Sequence, residues 1–229
     1  MASVDFFSAS VQDYAKAVYA LETRTGGSVS NADLAERLGV TPGSVSAMVR
    51  KLSELGLLEY EPYRGVRLTD EGRRVALEVL RHHRLIELFL AEELGMPWDR
   101  VHAEAEVLEH VLSDDVERLI AERLGDPVVD PHGDPIPTAE FGIAEPATHS
   151  LDELPVGAVG RFVRVSDSDP EMLRYLDDRG VRLGDRLEVV DRQPFGGPLF
   201  VRFGDREHPI GGALASAMRV EVGEDGRKR

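Results

Sequence analysis

The stretch ADLAERLGVTPGSVSAMVRKLSELGLLEY, residues 32–60, constrains this chain more than any other part of it. Ser30 is placed to cap a helix over Asn31 to Leu38, with Leu34, Ala35 and Leu38 turned inward, and Gly39 ends it. Thr41 then caps a third helix to about Leu55, in which Val45, Met48, Val49 and Leu52 form an apolar stripe. A helix, a short turn holding a glycine and a second helix make a helix-turn-helix. Beyond Gly56, Leu57 to Glu61 alternates as a strand, Pro62 to Gly65 turns, and Val66 to Thr69 returns, which makes a β-hairpin wing. Upstream, Val11, Tyr14, Ala15, Val18, Tyr19 and Leu21 keep a helical rhythm from Ser10 to Glu22, with Ser8 or Ser10 as N-cap. The spacing predicts a winged helix-turn-helix, a DNA-binding unit.

The residue types on the third helix suggest how DNA would be met. Thr41, Pro42, Gly43, Ser44, Ser46 and Ala47 are small groups that let the backbone approach base edges in the major groove. Arg50 and Lys51 suit phosphates, and Arg64 and Arg67 in the wing suit the backbone or minor groove. No Asn, Gln or Arg leads the helix, so DNA shape is expected to carry much of the specificity. The net charge of −15 opposes polyanion binding when taken alone. Residues 1–75, however, hold nine Lys or Arg against ten acids, a balance of −1, leaving −14 to the remainder.

The acidic remainder holds an unusual run. Val101 to Val111, VHAEAEVLEHV, sets two imidazoles and three carboxylates into eleven residues. His102, Glu106, Glu109 and His110 share a face at helical spacing, beside an apolar stripe of Val101, Ala105, Leu108 and Val111. Carboxylates so close repel one another unless a cation sits among them, and imidazoles ligate once deprotonated. A divalent-metal site is the reading, against a solvated acidic face. The preceding long helix, Asp70 to about Leu94, adds His83 and Glu87 one turn apart, a second potential pair. Ser113 caps a further helix, Asp114 to Leu124, and the surplus of apolar positions over three consecutive helices predicts a homodimer.

Residues 126–150 hold five Pro, with PHGDPIP at the centre and no periodicity, and read as a linker. Beyond it, Gly157 to Val165, Leu187 to Val190, Leu199 to Phe203 and Met218 to Val222 read as strands, and Asp169 and Pro170 start a short helix to Leu176. The expected fold is mainly α with β: a winged helix-turn-helix over 1–72, a helical metal-binding and dimerisation domain over 73–125, the linker, and an SH3-like β-barrel over 151–229.

These elements resemble the diphtheria-toxin-repressor family of metal-dependent transcriptional regulators, most closely its manganese-responsive branch. The motifs are QDYAKAVYALE, RHHRLIELFL, VHAEAEVLEHVLSDDVE and GDPIP, and the resemblance spans nearly the whole chain. It implies a primary metal site of Asp13, Glu106, Glu109 and His110, and an ancillary site of His83, Glu87 and His102 completed by Glu171 or Asp169. It implies a repressor of metal-uptake genes that binds operator DNA as a dimer when loaded. Iron-type members place Met and Cys where this chain has Asp13 and Glu106, so the hard oxygen donors favour Mn(II), with Fe(II) as the alternative. Regulators that hold a metal pair place a carboxylate one turn after the Asp, where this chain has Lys16. A protonated ammonium cannot ligate, so two separate sites per subunit are expected.

The absence of cysteine leaves only N and O donors. No apolar run suits a membrane span or signal peptide, which predicts a cytoplasmic protein. The rival readings are a metal-dependent hydrolase, against which the sequence has no HExxH motif and no evident nucleophile, and a winged-helix regulator sensing an organic ligand.

Overall fold

The computed structural model describes residues 7–61 and 65–223. Helix α1 (Ala9–Thr25) ends at Gly26, whose φ of 68° gives the left-handed C-cap and whose N–H returns to Glu22 O. Helix α2 (Asn31–Leu38) begins where Ser30 accepts the N–H of Asp33, and α3 (Pro42–Glu54) where Thr41 accepts the N–H of Ser44. Gly39, at φ 64°, makes the tight turn between them. Strands β1 (Leu58–Glu61) and β2 (Gly65–Leu68) pair antiparallel with Leu58 opposite Leu68, and Val29 bridges to Val66 from the loop before α2. The winged helix is therefore present. Leu21, Leu34, Val45, Val49, Leu52, Leu57 and Val66 are buried at its centre. Removing the Leu52 side chain from such a core would cost about 2–5 kcal/mol. Arg64 lies outside the described residues.

Helix α4 (Asp70–Glu92) starts against the wing. A Cβ on Gly72 would meet Leu57 O at 2.0 Å, so only glycine lets the first turn of α4 lie that close to the chain entering β1. Helix α5 covers Val101–Leu108, and α6 covers Asp114–Arg123. The helix expected through Val111 thus stops early, and a turn formed by the N–H of Arg100 and Pro97 O precedes its start. Glu109 N still bonds Ala105 O, but Val111 N bonds Leu108 O, the tighter pattern of a closing turn. Of the expected apolar stripe, Val101 and Ala105 are fully buried, whereas Leu108 and Val111 are exposed and give the last turn nothing to pack on within the subunit.

The chain divides into two compact units. One comprises Met1–Ile86, Ala105–Pro127 and Ile136–Ile143; the other comprises Glu87–Glu104, Val128–Pro135 and Ala144–Arg229. The Pro-rich segment accordingly contributes to both, and it is not extended over the surface. Arg81 donates to Glu117 and to Pro137 O, each at 2.7 Å, which secures the segment in the first unit. In the second, Val165 N bonds His132 O, and a Cβ on Gly133 would meet Val163 O at 2.0 Å.

The second unit is built on a six-stranded antiparallel sheet of order β3-β8-β4-β5-β6-β7. Its strands are β3 (His149–Ser150), β4 (Val159–Val165), β5 (Arg186–Arg192), β6 (Leu199–Phe203), β7 (Arg206–Ile210) and β8 (Met218–Val222). Helix α7 (Pro170–Asp178) follows β4, and the six-residue α8 (Gly212–Ala217) precedes β8. Phe162, Val165, Leu173, Leu176, Leu187, Val201, Ile210 and Val220 fill its interior, an SH3-like arrangement. Two of its elements have no clear sequence signal. Strand β7 is an edge strand that buries only Ile210 and contains Pro209, while α8 opens on two glycines with no polar cap.

Candidate metal centres and DNA-reading face

In the first unit, α1, α4, α5 and the turn after α5 bring six ionisable side chains together. Glu109 is the hub, with a side chain that is 0% exposed. Its Oε1 lies 2.6 Å from Lys16 Nζ and 3.6 Å from His110 Nε2, and its Oε2 lies 2.5 Å from His83 Nδ1. Lys16 Nζ also donates to Glu106 Oε1 at 2.7 Å, an oxygen 3.6 Å from His83 Nδ1. His110 Nε2 is 3.1 Å from Asp13 Oδ1. The helical rhythm of α1 explains the reach, because Asp13 and Lys16 are three residues apart and project from one face.

Gln12 sets the orientation of His110. Its amide nitrogen donates to Phe7 O at 3.0 Å, which fixes the carboxamide and turns Oε1 toward His110 Nδ1 at 2.6 Å. Nδ1 then donates to Gln12 Oε1, and the ring is held with Nε2 facing Asp13 Oδ1. Sequence reasoning missed Gln12; the motif QDYAKAVYALE includes it, but nothing local marks a bond to a residue 98 positions away. Burial raises the Asp13 pKa, opposed by His110 and Lys16 and helped by Glu109 and Glu106. Burial alone would lower that of Lys16, yet Glu109 and Glu106 outweigh it and keep the ammonium charged.

In the second unit, Glu87 from α4 is shared by two groups: His102 from α5 with Asp167 from the loop after β4, and Asp130 with His132 from the Pro-rich segment. His102 Nδ1 lies 2.8 Å from Asp167 Oδ2 and 3.2 Å from Glu87 Oε1. Bonds to Asp167 and then Glu87 outweigh burial and push the His102 pKa up to about 10. His132 Nε2 donates to Trp98 O at 2.8 Å, and its ring stacks on Trp98 with centroids 6.1 Å apart. Burial lowers and Glu87 raises the His132 pKa, for a net value of about 9. Asp130 accepts the backbone N–H groups of His132 and Asp134, so the turn that holds His132 is fixed by one of the cluster's own carboxylates.

The donor sets suit a divalent ion. Asp13, Glu109 and His110 offer ligand atoms within 4.8 Å of one another, as do His83, Glu106 and Glu109, and Glu87, Asp130 and His132. His132 Nδ1 is buried without a hydrogen-bond partner among the described residues and faces Glu87 Oε2 at 3.8 Å, too far for a hydrogen bond but suited to a shared cation.

The expected ligands fall as follows. Asp13, Glu106, Glu109 and His110 come together, and His83, one turn before Glu87 on α4, directs Nδ1 at Glu109. Glu87 and His102 come together with Asp167. Asp169 instead caps α7, accepting the N–H of Glu171, ahead of which Pro170 takes the first helical position, and Glu171 is exposed on that helix. Asp130, His132 and Asp167 escaped sequence reasoning because they sit in irregular segments with no periodicity.

On the winged helix, Thr41, Pro42, Gly43, Ser44, Ser46, Ala47, Arg50 and Lys51 form an exposed face of α3 and its cap. Thr41 and Ser46 are held by local bonds to Ser44 N and Pro42 O. Arg67 is exposed on β2 and donates to Ser28 at 3.0 Å.

A winged helix, carboxylate–imidazole clusters and an SH3-like sheet define a metal-dependent DNA-binding regulator. Comparison with known proteins agrees. Residues 6–66 match the iron-dependent-repressor N-terminal DNA-binding domain, residues 69–138 the iron-dependent-repressor metal-binding and dimerisation domain, and residues 149–222 the FeoA domain. The iron-dependent repressor IdeR of Mycobacterium tuberculosis is 36% identical over 220 residues, 91% of this chain and 95% of that protein. The diphtheria toxin repressor of Corynebacterium diphtheriae is 31% identical over 218 residues, 91% of this chain and 95% of that protein. A solved manganese-dependent transcriptional repressor in complex with manganese is 42% identical, with a TM-score of 0.87 over 93% of this chain and 99% of its own. The manganese-activated repressor ScaR, solved in its apo form, is 31% identical with a TM-score of 0.78, covering 92% of this chain and 99% of its own. The chain belongs to the diphtheria-toxin-repressor family and is a metal-dependent transcriptional repressor.

Proposed function

We propose that this repressor responds to Mn(II), binds it at two separate sites per subunit, and silences metal-uptake genes in the cytoplasm by binding double-stranded operator DNA as a homodimer. The observation that carries the choice of metal is the oxygen-rich first cluster, in which Asp13, Glu106 and Glu109 join imidazoles and no thiolate is available anywhere in the chain. In the first cluster Asp13, Glu106, Glu109 and His110 would hold the ion, with His83 at its edge; in the second, Glu87, His102, His132 and Asp167 would do so, steadied by Asp130. A bound divalent ion would supply the charge that lets these carboxylates sit together. Asp13 and its helix belong to the winged helix, whereas Glu106, Glu109 and His110 follow from the helical segment. Ligation by both sets therefore ties α1, and the α3 face packed with it, to α5.

Val107, Val111, Val116 and Leu119 support the dimer, since they are exposed apolar side chains on consecutive elements of the segment that matches a dimerisation domain. Among the described residues no helix is long and apolar enough to cross a membrane. Fe(II) is the second reading, favoured by the imidazoles and by the iron-dependent relatives.

The test is equilibrium titration of the purified protein with Mn(II), Fe(II), Co(II) and Zn(II) at one salt concentration. It is read as bound metal and as binding to a duplex selected by the Mn(II)-loaded protein from a random-sequence pool. Two Mn(II) per subunit with DNA binding at the lowest free Mn(II) supports the proposal. One ion, or DNA binding driven by Fe(II) alone at cellular concentrations, overturns it.

A further inference from the structure

Lys16 lies among the residues assigned above to the first metal site, yet it cannot be a ligand. It projects from α1 one turn after Asp13 and places Nζ 2.6 Å from Glu109 Oε1 and 2.7 Å from Glu106 Oε1, with its side chain only 16% exposed. Glu109 is wholly buried, so its charge must be neutralised by something within bonding distance. The ammonium does this from a four-carbon stem anchored on the winged helix, bridging the same two carboxylates that a divalent ion would need. His83 approaches Glu109 through Oε2, which leaves Oε1 to the ammonium and to His110.

We infer that Lys16 is a tethered cation that competes with the divalent ion for Glu106 and Glu109, and so sets the metal concentration at which the repressor loads. The inference rests on the reading of this cluster as a metal site. Two consequences follow from the geometry. Without bound metal, the ammonium holds α1 against α5 and keeps the buried carboxylates compensated. On loading, at least one of its two carboxylate bonds must be given up, and that exchange lowers the apparent affinity. An apolar side chain of similar length removes the competitor without adding a ligand, whereas a carboxylate at this position would add one.

The experiment compares full-length wild type, Lys16→Met and Glu109→Gln. Free Mn(II) is followed by electron paramagnetic resonance, and thermal unfolding is followed in the presence of a chelator. Lys16→Met is expected to bind Mn(II) at this cluster about tenfold more tightly, as the loss of two charge-assisted hydrogen bonds to the competitor implies, and to unfold at a lower temperature in chelator. Unchanged or weaker binding by Lys16→Met, with wild-type binding still abolished by Glu109→Gln, overturns the competition. Wild-type Mn(II) binding unaffected by Glu109→Gln would instead overturn the metal site itself.

If Lys16→Met does not fold, the wild type decides. Acylation of Lys16 by an amine-reactive reagent, read by mass spectrometry, is expected to accelerate severalfold when Mn(II) is added, because the displaced ammonium reaches solvent. A rate unchanged or reduced by Mn(II) overturns the inference.

Discussion

At the scale of single residues, Glu109 and Gln12 show how much of the first cluster depends on groups far apart in the chain. Glu109 is bonded to Lys16 across 93 positions and to His83 across 26, so its role as hub has no local signature. Its neighbours His110 and Glu106 were legible because helical spacing alone places them close, and Asp13 because the family motif carries it. Gln12 was not, although its carboxamide decides which nitrogen His110 offers. Groups of that kind typically alter metal affinity by 10–100-fold, so Gln12→Ala should weaken Mn(II) binding at the first cluster by about tenfold, read as a shift in the Mn(II) titration. Binding unchanged by the substitution would remove Gln12 from the site.

At the scale of elements, the winged helix was legible nearly to the residue. Each boundary is written locally, by Ser30, Gly39 and Thr41, and local caps do not depend on the rest of the chain. The turn after α5 was not legible. The run reads as one helix to Val111, and only the exposure of Leu108 and Val111 shows why it closes early. The Pro-rich segment likewise read as a linker because it lacks periodicity, yet it holds Asp130 and His132 through backbone bonds that no pattern announces.

The sheet of the second unit has an analogous irregular joint. Asp152 accepts hydroxyl bonds from Ser150 at 2.5 Å and Ser216 at 2.8 Å, and these hold its pKa below the ordinary value of 3.8. A carboxylate depressed in the folded state contributes stability that is fully present above its unfolded pKa and is lost as pH falls through the folded value. Asp152→Asn should therefore flatten the acid limb of a plot of urea midpoint against pH, at and below about pH 4. An acid limb identical to that of the wild type would show that the contact adds nothing.

At the scale of the whole molecule, a metal clamp of this kind acts on operator DNA through a dimer whose DNA-binding units are positioned by metal. Val107 is 69% exposed and Val111 76% exposed, values that an isolated subunit has no reason to keep for two valines beside the carboxylate–imidazole cluster. Val111→Asp should convert the dimer to monomer in sedimentation equilibrium at micromolar concentration while leaving the helical content of the circular dichroism spectrum unchanged. A dimer that persists would place the interface elsewhere.

The central claim is that ligands from α1 and from the α5 region act as one clamp. Its most direct test is operator binding by wild type and Asp13→Ala across a Mn(II) titration at constant ionic strength, because salt alone changes DNA affinity by orders of magnitude. Mn(II) is expected to tighten wild-type binding, and Asp13→Ala to lose at least about tenfold of that gain while its metal-independent binding stays the same. Equal Mn(II) enhancement in the two proteins would contradict the clamp.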